Sequence, residues 1–104
     1  MSMPELADAG LFRRSSYIDG NWVDAASGET FAVTNPADGD EIGRVASLSA
    51  QESVWAVDVA DRAFPRWSAL LPQDRSAILR RWFDMIVRHR EDLAALMTVE
   101  QGKP

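Results

Sequence analysis

The spacing of apolar residues changes twice along this chain, and each change marks a different kind of element. From Tyr17 to Leu48 they come in short runs cut by turn signals. Tyr17-Ile18-Asp19-Gly20-Asn21-Trp22-Val23 sets apolar residues on both sides of an Asp-Gly pair. That pair is a strong hairpin signal, because both turn positions demand positive φ. Ser27-Gly28 marks a second turn, and Thr30 to Thr34 predicts a strand with Phe31 and Val33 on one face. Asn35-Pro36-Ala37-Asp38-Gly39-Asp40 is a dense turn cluster, and Ile42 to Leu48 predicts a returning strand. Three or four short antiparallel strands are marginal alone and call for a partner surface.

From Ser49 the period lengthens. Ser49 and Glu52 form a capping box, a specific helix start. Val54, Trp55, Val57, Val59, Ala60, Ala63 and Phe64 follow, and Pro65 predicts an end at Phe64 because the residue before proline avoids the helical region. Pro72 suits a first helical position, with Asp74 favourable at the positive end of the dipole. Ile78, Trp82, Ile86, Leu93 and Met97 then recur at helical spacing, widened by Leu79 and Phe83. Asp74, Arg75, Arg80, Arg81, Asp84, Arg88, Arg90, Glu91 and Asp92 are assigned to the opposite, solvated face. The stretch from about Pro72 to Glu100 is long for one helix, and the polar run His89-Arg90-Glu91-Asp92 predicts a break or kink. Gly102 supplies a helix stop, and Pro104 supports it. Residues 1–16 read as a leader with a short helical piece capped by Asp8, with Arg13 and Arg14 near its C-terminal end. The expected segment is α+β: short antiparallel strands, then two or three amphipathic helices.

Composition narrows the classes. With 104 residues there is room for one small domain at most. Eleven basic and sixteen acidic residues give a formal charge of −5, which argues against a general nucleic-acid binder. Four Trp and four Phe are too many for a disordered acidic tail. There is no cysteine, so a disulfide, a thiolate metal site and a cysteine nucleophile are excluded within these residues. A cytoplasmic setting fits that usage. Residues 1–10 show neither a basic n-region nor an apolar h-region, and no apolar run approaches a membrane span.

Candidate chemistry is sparse. His89 is the only histidine, so no second imidazole completes a metal pair, and a helix-end or solvent-facing role is expected of it. None of the glycines forms a dinucleotide or Walker fingerprint. The five arginines from Arg75 to Arg90 are offset by four acids in the same span, which reads as a salt-bridged face. Trp22, Trp55, Trp67 and Trp82 are expected to pack, in a core or against further parts of a protein, rather than to stack on a ring-shaped ligand. No pair of acids can be placed across a cleft from spacing.

The order of these motifs resembles the aldehyde dehydrogenase superfamily. The resemblance rests on Tyr17–Val23, on Thr34-Asn35-Pro36-Ala37-Asp38-Gly39 with Ile42-Gly43, and on Phe64-Pro65-Arg66-Trp67. It continues through the Arg-x-x-Ile-Leu-Arg-x-Trp pattern at Arg75–Trp82 and through Glu100-Gln101-Gly102-Lys103-Pro104. It covers nearly the whole chain from Leu11. Within the superfamily, Gly10-Leu11-Phe12-Arg13-Arg14 and Met97–Gln101 are most similar to succinate-semialdehyde dehydrogenases.

The resemblance implies an α/β parent fold and NAD(P)-dependent oxidation of an aldehyde, succinate semialdehyde first, to the carboxylate. In the family a cysteine attacks the carbonyl, backbone and Asn donors hold the oxyanion, hydride passes to nicotinamide, and a Glu-activated water releases the acid. No position here matches those groups, so no catalytic, cofactor-binding or metal residue is assigned. Residues 17–104 are expected to be the N-terminal part of such a domain, incomplete at its C-terminus. By itself this part is expected to bind no NAD or NADP and to turn over no aldehyde. The parent is expected to be a homodimer or homotetramer. Some members hold a structural monovalent cation near positions matching the Thr34 backbone and Glu100; many of these carry Asp at the second position, where this chain has Glu.

Two other readings stand beside this one. The helix from Pro72 could lay its apolar stripe in a partner's groove as a stand-alone module. Alternatively, the chain could be a non-catalytic remnant that assembles with a full-length enzyme. The dehydrogenase reading carries its own physical expectation: a contiguous exposed apolar patch, with Trp22, Phe31, Ile86 or Met97 contributing.

Overall fold

The structure is a computed structural model and describes residues 3–103. A short 3₁₀ turn at Ala9–Leu11 is followed by β1 (Ser16–Ile18), β2 (Asn21–Val23), β3 (Thr30–Thr34) and β4 (Glu41–Ala46). Three helices complete the chain: α1 (Ala50–Ser68), α2 (Pro72–Arg88) and α3 (Arg90–Gln101). The α+β segment expected from the sequence is present.

The Asp19-Gly20 turn adopts φ of 52° and 77°, the two positive values that let a two-residue turn match strand twist. It closes an antiparallel pair with Ile18 opposite Asn21. β3 and β4 form a second antiparallel pair, Phe31 opposite Val45 and Val33 opposite Gly43, with an irregularity between Val33 and Thr34. The strands make two separate two-stranded sheets. The Ala46 N–H donates to the Arg14 carbonyl at 2.8 Å, so the leader, rather than β1, meets β4.

The capping box forms as expected. Ser49 Oγ accepts from the Glu52 N–H at 3.1 Å, and Glu52 Oε1 accepts from the Ser49 N–H at 2.9 Å. Glu52 Oε2 also accepts from the Ala26 N–H at 3.0 Å, which ties the start of α1 to the loop between the hairpins. These backbone donors, Ser49 first and then Ala26, hold the Glu52 carboxyl below the usual carboxylate range.

The end expected at Phe64 does not occur. α1 runs through Pro65 to Ser68. Pro65 cannot donate to the preceding turn, but its own carbonyl still accepts from the Ala69 N–H at 3.1 Å and from Ser68 Oγ at 3.1 Å. One further turn C-terminal to the proline is therefore complete, and the connection to α2 shrinks to Ala69–Leu71.

Pro72 opens α2 at its first turn, and the expected break falls at His89, whose φ of −103° and ψ of 19° leave the helical region. The break also shifts the phase. Leu93 and Met97 continue the α2 stripe in sequence, yet the buried residues of α3 are Asp92, Leu96 and Val99, while Met97 is exposed. Gly102 ends α3 with φ of 76°. A Cβ there would lie 2.9 Å from the Ala37 backbone nitrogen and 2.9 Å from Pro36 Cγ, so α3 ends directly on the β3–β4 turn. The stop signal at Pro104 lies outside the described residues.

The buried set is small: Ile18, Ala25, Ile42, Leu96 and Val99, with the polar Asn35 and Asp92. It lies beneath the strands and α3. α1 and α2 contain no buried residue at all. The radius of gyration is 16.6 Å, against about 13 Å for a compact chain of this length.

Candidate functional site

Large apolar side chains lie exposed along both α1 and α2. Along α2, Ile78, Leu79, Trp82, Phe83 and Ile86 fall within an arc of about 140° at 3.6 residues per turn. Trp82 is 63% exposed and Phe83 is 52% exposed. On α1, Val57 and Phe64 are exposed as well. The polar side of α2 carries Arg80, Arg81, Asp84 and Arg88, with Arg80 Nε 3.6 Å from Asp84 Oδ1. Trp22, Phe31, Ile86 and Met97, named as contributors to an expected apolar patch, are each exposed. The tryptophans do not form a core within this chain: Trp22, Trp55, Trp67 and Trp82 are each at least 36% exposed.

The total accessible surface is 7888 Å². A compact monomer of this size exposes about 5,800 Å². The chain therefore exposes about 2,000 Å² more than a compact monomer would.

Two polar junctions set the attitude of the helices. Asp92, assigned to the solvated face by its spacing, is instead buried. Its Oδ1 accepts from the Ala7 N–H and its Oδ2 from the Asp8 N–H, both at 2.9 Å. These donors, Asp8 first, hold its carboxyl below the usual carboxylate range, with the nearby His89 adding a small pull in the same direction. The leader is held again where the Phe12 ring fills the place of a side chain on Gly43; a Cβ there would lie 2.6 Å from Phe12 Cζ. Arg75, also assigned to the solvated face, is half-buried. Its guanidinium donates to the Ser68 carbonyl at 3.3 Å, the last of α1, and to the Leu70 carbonyl in the connection, holding both from the first turn of α2.

The third junction is Asn35, 2% exposed. Its Oδ1 accepts from the Ala37 N–H at 2.9 Å, its N–H donates to the Asp40 carbonyl at 2.8 Å, and its own carbonyl accepts from Gly39 at 2.7 Å. Asn-Pro marks a turn in any sequence. Its burial comes from Gly102 arriving on top of it. The same junction brings the candidate cation pair into one neighbourhood: Thr34 immediately precedes Asn35, and Glu100 lies two residues before Gly102. Both are exposed. Among the described residues, no three His, Cys, Asp or Glu side chains group as metal ligands.

Arg13 and Arg14 do not sit at a helix end, because the 3₁₀ turn stops at Leu11. Arg13 instead lies over the Trp22 ring, 4.3 Å from its centroid. His89 occupies the α2–α3 junction, a helix-end position. The depression beside it is lined by Ala7, Asp8, Arg88, Glu91 and Asp92, with no hydroxyl to serve as nucleophile. The places where Gly43 and Gly102 lack a Cβ are filled by Phe12, Pro36 and Ala37 of this same chain.

The comparisons with known proteins agree with the architecture. A sequence profile of the aldehyde dehydrogenase family matches residues 22–104. The chain belongs to the aldehyde dehydrogenase family. It is 51% identical over 100 residues to a glutarate-semialdehyde dehydrogenase of Pseudomonas aeruginosa, covering 96% of this chain and 21% of that protein. It is 50% identical over 100 residues to an NADP-dependent succinate-semialdehyde dehydrogenase of Escherichia coli, with the same coverage of 96% and 21%. A crystal structure of an Escherichia coli NADP-dependent enzyme superposes with a TM-score of 0.90 at 50% identity, over 96% of this chain and 21% of that one. The chain thus spans about a fifth of the length of these relatives. Among the described residues, no helix is long and apolar enough to cross a membrane.

Proposed function

We propose that this chain is the N-terminal part of an NAD(P)-dependent semialdehyde dehydrogenase and serves as scaffold for a reaction carried out elsewhere in the parent fold. The observation that carries the reading is the family match over residues 22–104, joined to about half identity with enzymes named for glutarate and succinate semialdehydes. Succinate semialdehyde is the first substrate to test, and a short dicarboxylic semialdehyde is the class. NAD or NADP would be the hydride acceptor of the parent. Residues 1–16 act as a leader to the domain that begins at Tyr17. The parent is a cytoplasmic homodimer or homotetramer, and no catalytic, cofactor-binding or metal residue lies in these 104 residues.

The uncovered face of α1 and α2 supports scaffolding over a free-standing binding module. Large apolar side chains are exposed on both helices, Val57 and Phe64 on α1 and Trp82 and Phe83 on α2, more than the single stripe that a groove-bound helix buries.

The test is a fusion. This chain replaces the matching 21% of the Escherichia coli succinate-semialdehyde dehydrogenase, joined in frame to the rest of that enzyme. The reading expects NADPH formation from succinate semialdehyde by the fusion and none from the 104-residue chain alone. A soluble fusion without activity, or an active isolated chain, contradicts it.

A further inference from the structure

We propose that the Asp19-Gly20 turn is a self-modification site, closing a succinimide ring that reopens to isoaspartate, and that the Asn21 side chain assists it.

The chain contains two Asp-Gly steps, Asp19-Gly20 and Asp38-Gly39. At such a step the glycine nitrogen can approach the preceding carboxyl closely, because no Cβ stands in the way. The fold treats the two steps differently. The Gly39 N–H donates to the Asn35 carbonyl at 2.7 Å, and Asp38 Oδ1 accepts from the Asp40 N–H at 3.0 Å. Nucleophile and electrophile are both held there, in the turn on which α3 ends. Asp19 and Gly20 are both exposed. Among the described residues, no hydrogen bond or ion pair engages the Gly20 N–H or the Asp19 carboxylate. Nothing beyond its chain neighbours lies within 4 Å of where a Cβ on Gly20 would stand, so the ring has room to close. Asp19 also holds a φ of 52°, a costly value for a residue with a Cβ. Its hairpin joins two three-residue strands in a sheet of their own, which opens readily.

One donor favours the reaction. Asn21 Nδ2 donates to the Asp19 backbone carbonyl at 3.1 Å. That oxygen belongs to the Asp19–Gly20 peptide group and takes on negative charge when the Gly20 nitrogen gives up its proton to water. A donor at that oxygen stabilises the anion. The nitrogen then bonds to Asp19 Cγ, and one carboxyl oxygen takes up protons and leaves as water. A second water opens the imide. Attack at Cγ restores aspartate. Attack at the backbone carbonyl, the one Asn21 polarises, breaks its bond to the Gly20 nitrogen and leaves the chain running through Cγ as isoaspartate. Water is the only co-reactant, and nothing is oxidised or reduced. The turn gains a methylene in its backbone and no longer closes with Ile18 opposite Asn21.

The experiment incubates the folded 104-residue chain in oxygen-18 water near neutral pH, then digests it with trypsin in ordinary water. Cleavage after Arg14 and Arg44 releases residues 15–44 as one peptide that carries both steps. Each imide opening leaves a heavy oxygen, and electron-transfer fragmentation locates that label and the isoaspartyl linkage. Labelling at Asp19 is expected to be about tenfold faster than at Asp38, where two hydrogen bonds must open first. In guanidinium chloride the two rates should come within about twofold, because the fold then holds neither step. Asn21→Ala should slow labelling at Asp19 about threefold and leave Asp38 unchanged.

Equal rates in the folded chain, or faster labelling at Asp38, would overturn the proposal. So would an Asp19 that stays unlabelled in the folded chain while both steps label in denaturant, since the turn would then be protective. Label without the isoaspartyl linkage contradicts the stated product, and an unchanged rate in Asn21→Ala contradicts the part given to Asn21.

Discussion

The two ends of this fold are held by opposite means. Around α3 and the β3–β4 hairpin, the chain satisfies itself. Val99 is 1% exposed, Asn35 makes its hydrogen bonds within its own turn, and Asp92 accepts two backbone N–H groups from the leader. Along α1 and α2, 36 helical residues include none that is buried. The helices are nevertheless well specified locally, by the capping box at Ser49, Pro72 at a first turn and Arg75 bridging the two. Local signals are enough to form such helices, but they do not decide what covers them. Burial decides that, and neither α1 nor α2 has any buried residue within this chain.

The contrast can be broken most sharply on the uncovered side. Replacing both Trp82 and Phe83 with Asp should abolish activity of the covalent fusion, a loss of at least a hundredfold, since two large side chains become charges facing apolar surface. The isolated chain should change by no more than about 0.5 kcal/mol, as an exposed site does. Thermal unfolding of the two forms reads the difference. On the self-satisfied side the order reverses. Val99→Ala should cost the isolated chain about 1.5–3 kcal/mol from lost burial, measured by hydrogen exchange along α3.

Gly102→Ala sharpens the same junction. A Cβ would meet the Ala37 nitrogen at 2.9 Å in a left-handed conformation, for a cost of about 1–3 kcal/mol. The amides of Ala37 and Gly39 should then exchange faster, while those of β1 and β2 should not.

The smallest effect is with pH. The Asp92 carboxyl is held below its ordinary value by the Asp8 and Ala7 N–H groups. Its contribution is therefore complete above about pH 4, the unfolded carboxylate range, and is lost as pH falls through the lower folded value. Exchange at the Ala7 and Asp8 amides, corrected for intrinsic rate, should rise only in that acid window. In Asp92→Asn the dependence should disappear. A change that persists in Asp92→Asn would contradict the assignment to Asp92.

Features set by neighbours in sequence were legible before the structure. The Asp19-Gly20 turn, the Ser49–Glu52 box, Pro72 and the Gly102 stop each depend on residues within one turn. What escaped depends on contacts across the chain. Pro65 reads as an end because its missing donor is visible in the sequence, whereas the Ala69 and Ser68 bonds that complete the next turn are not. Asp92 reads as solvated because it follows three polar residues, and only the leader returning over α3 makes it a buried acceptor. The phase of α3 was missed for a related reason: the break at His89 resets the stripe, so extrapolating from Ile86 selects Leu93 and Met97 instead of Leu96 and Val99. For the apolar face, the sequence showed that these side chains needed cover, and the structure shows that this chain does not provide it.

Hydrogen–deuterium exchange over Pro72–Arg88, in the isolated chain and in its covalent fusion to the rest of the dehydrogenase, tests the central claim most directly. The account predicts weak protection of α2 in the isolated chain and a rise of at least tenfold in the fusion, with little change across β3 and β4. If α2 is already as protected as α3 in the isolated chain, or gains nothing in the fusion, the scaffold reading is contradicted.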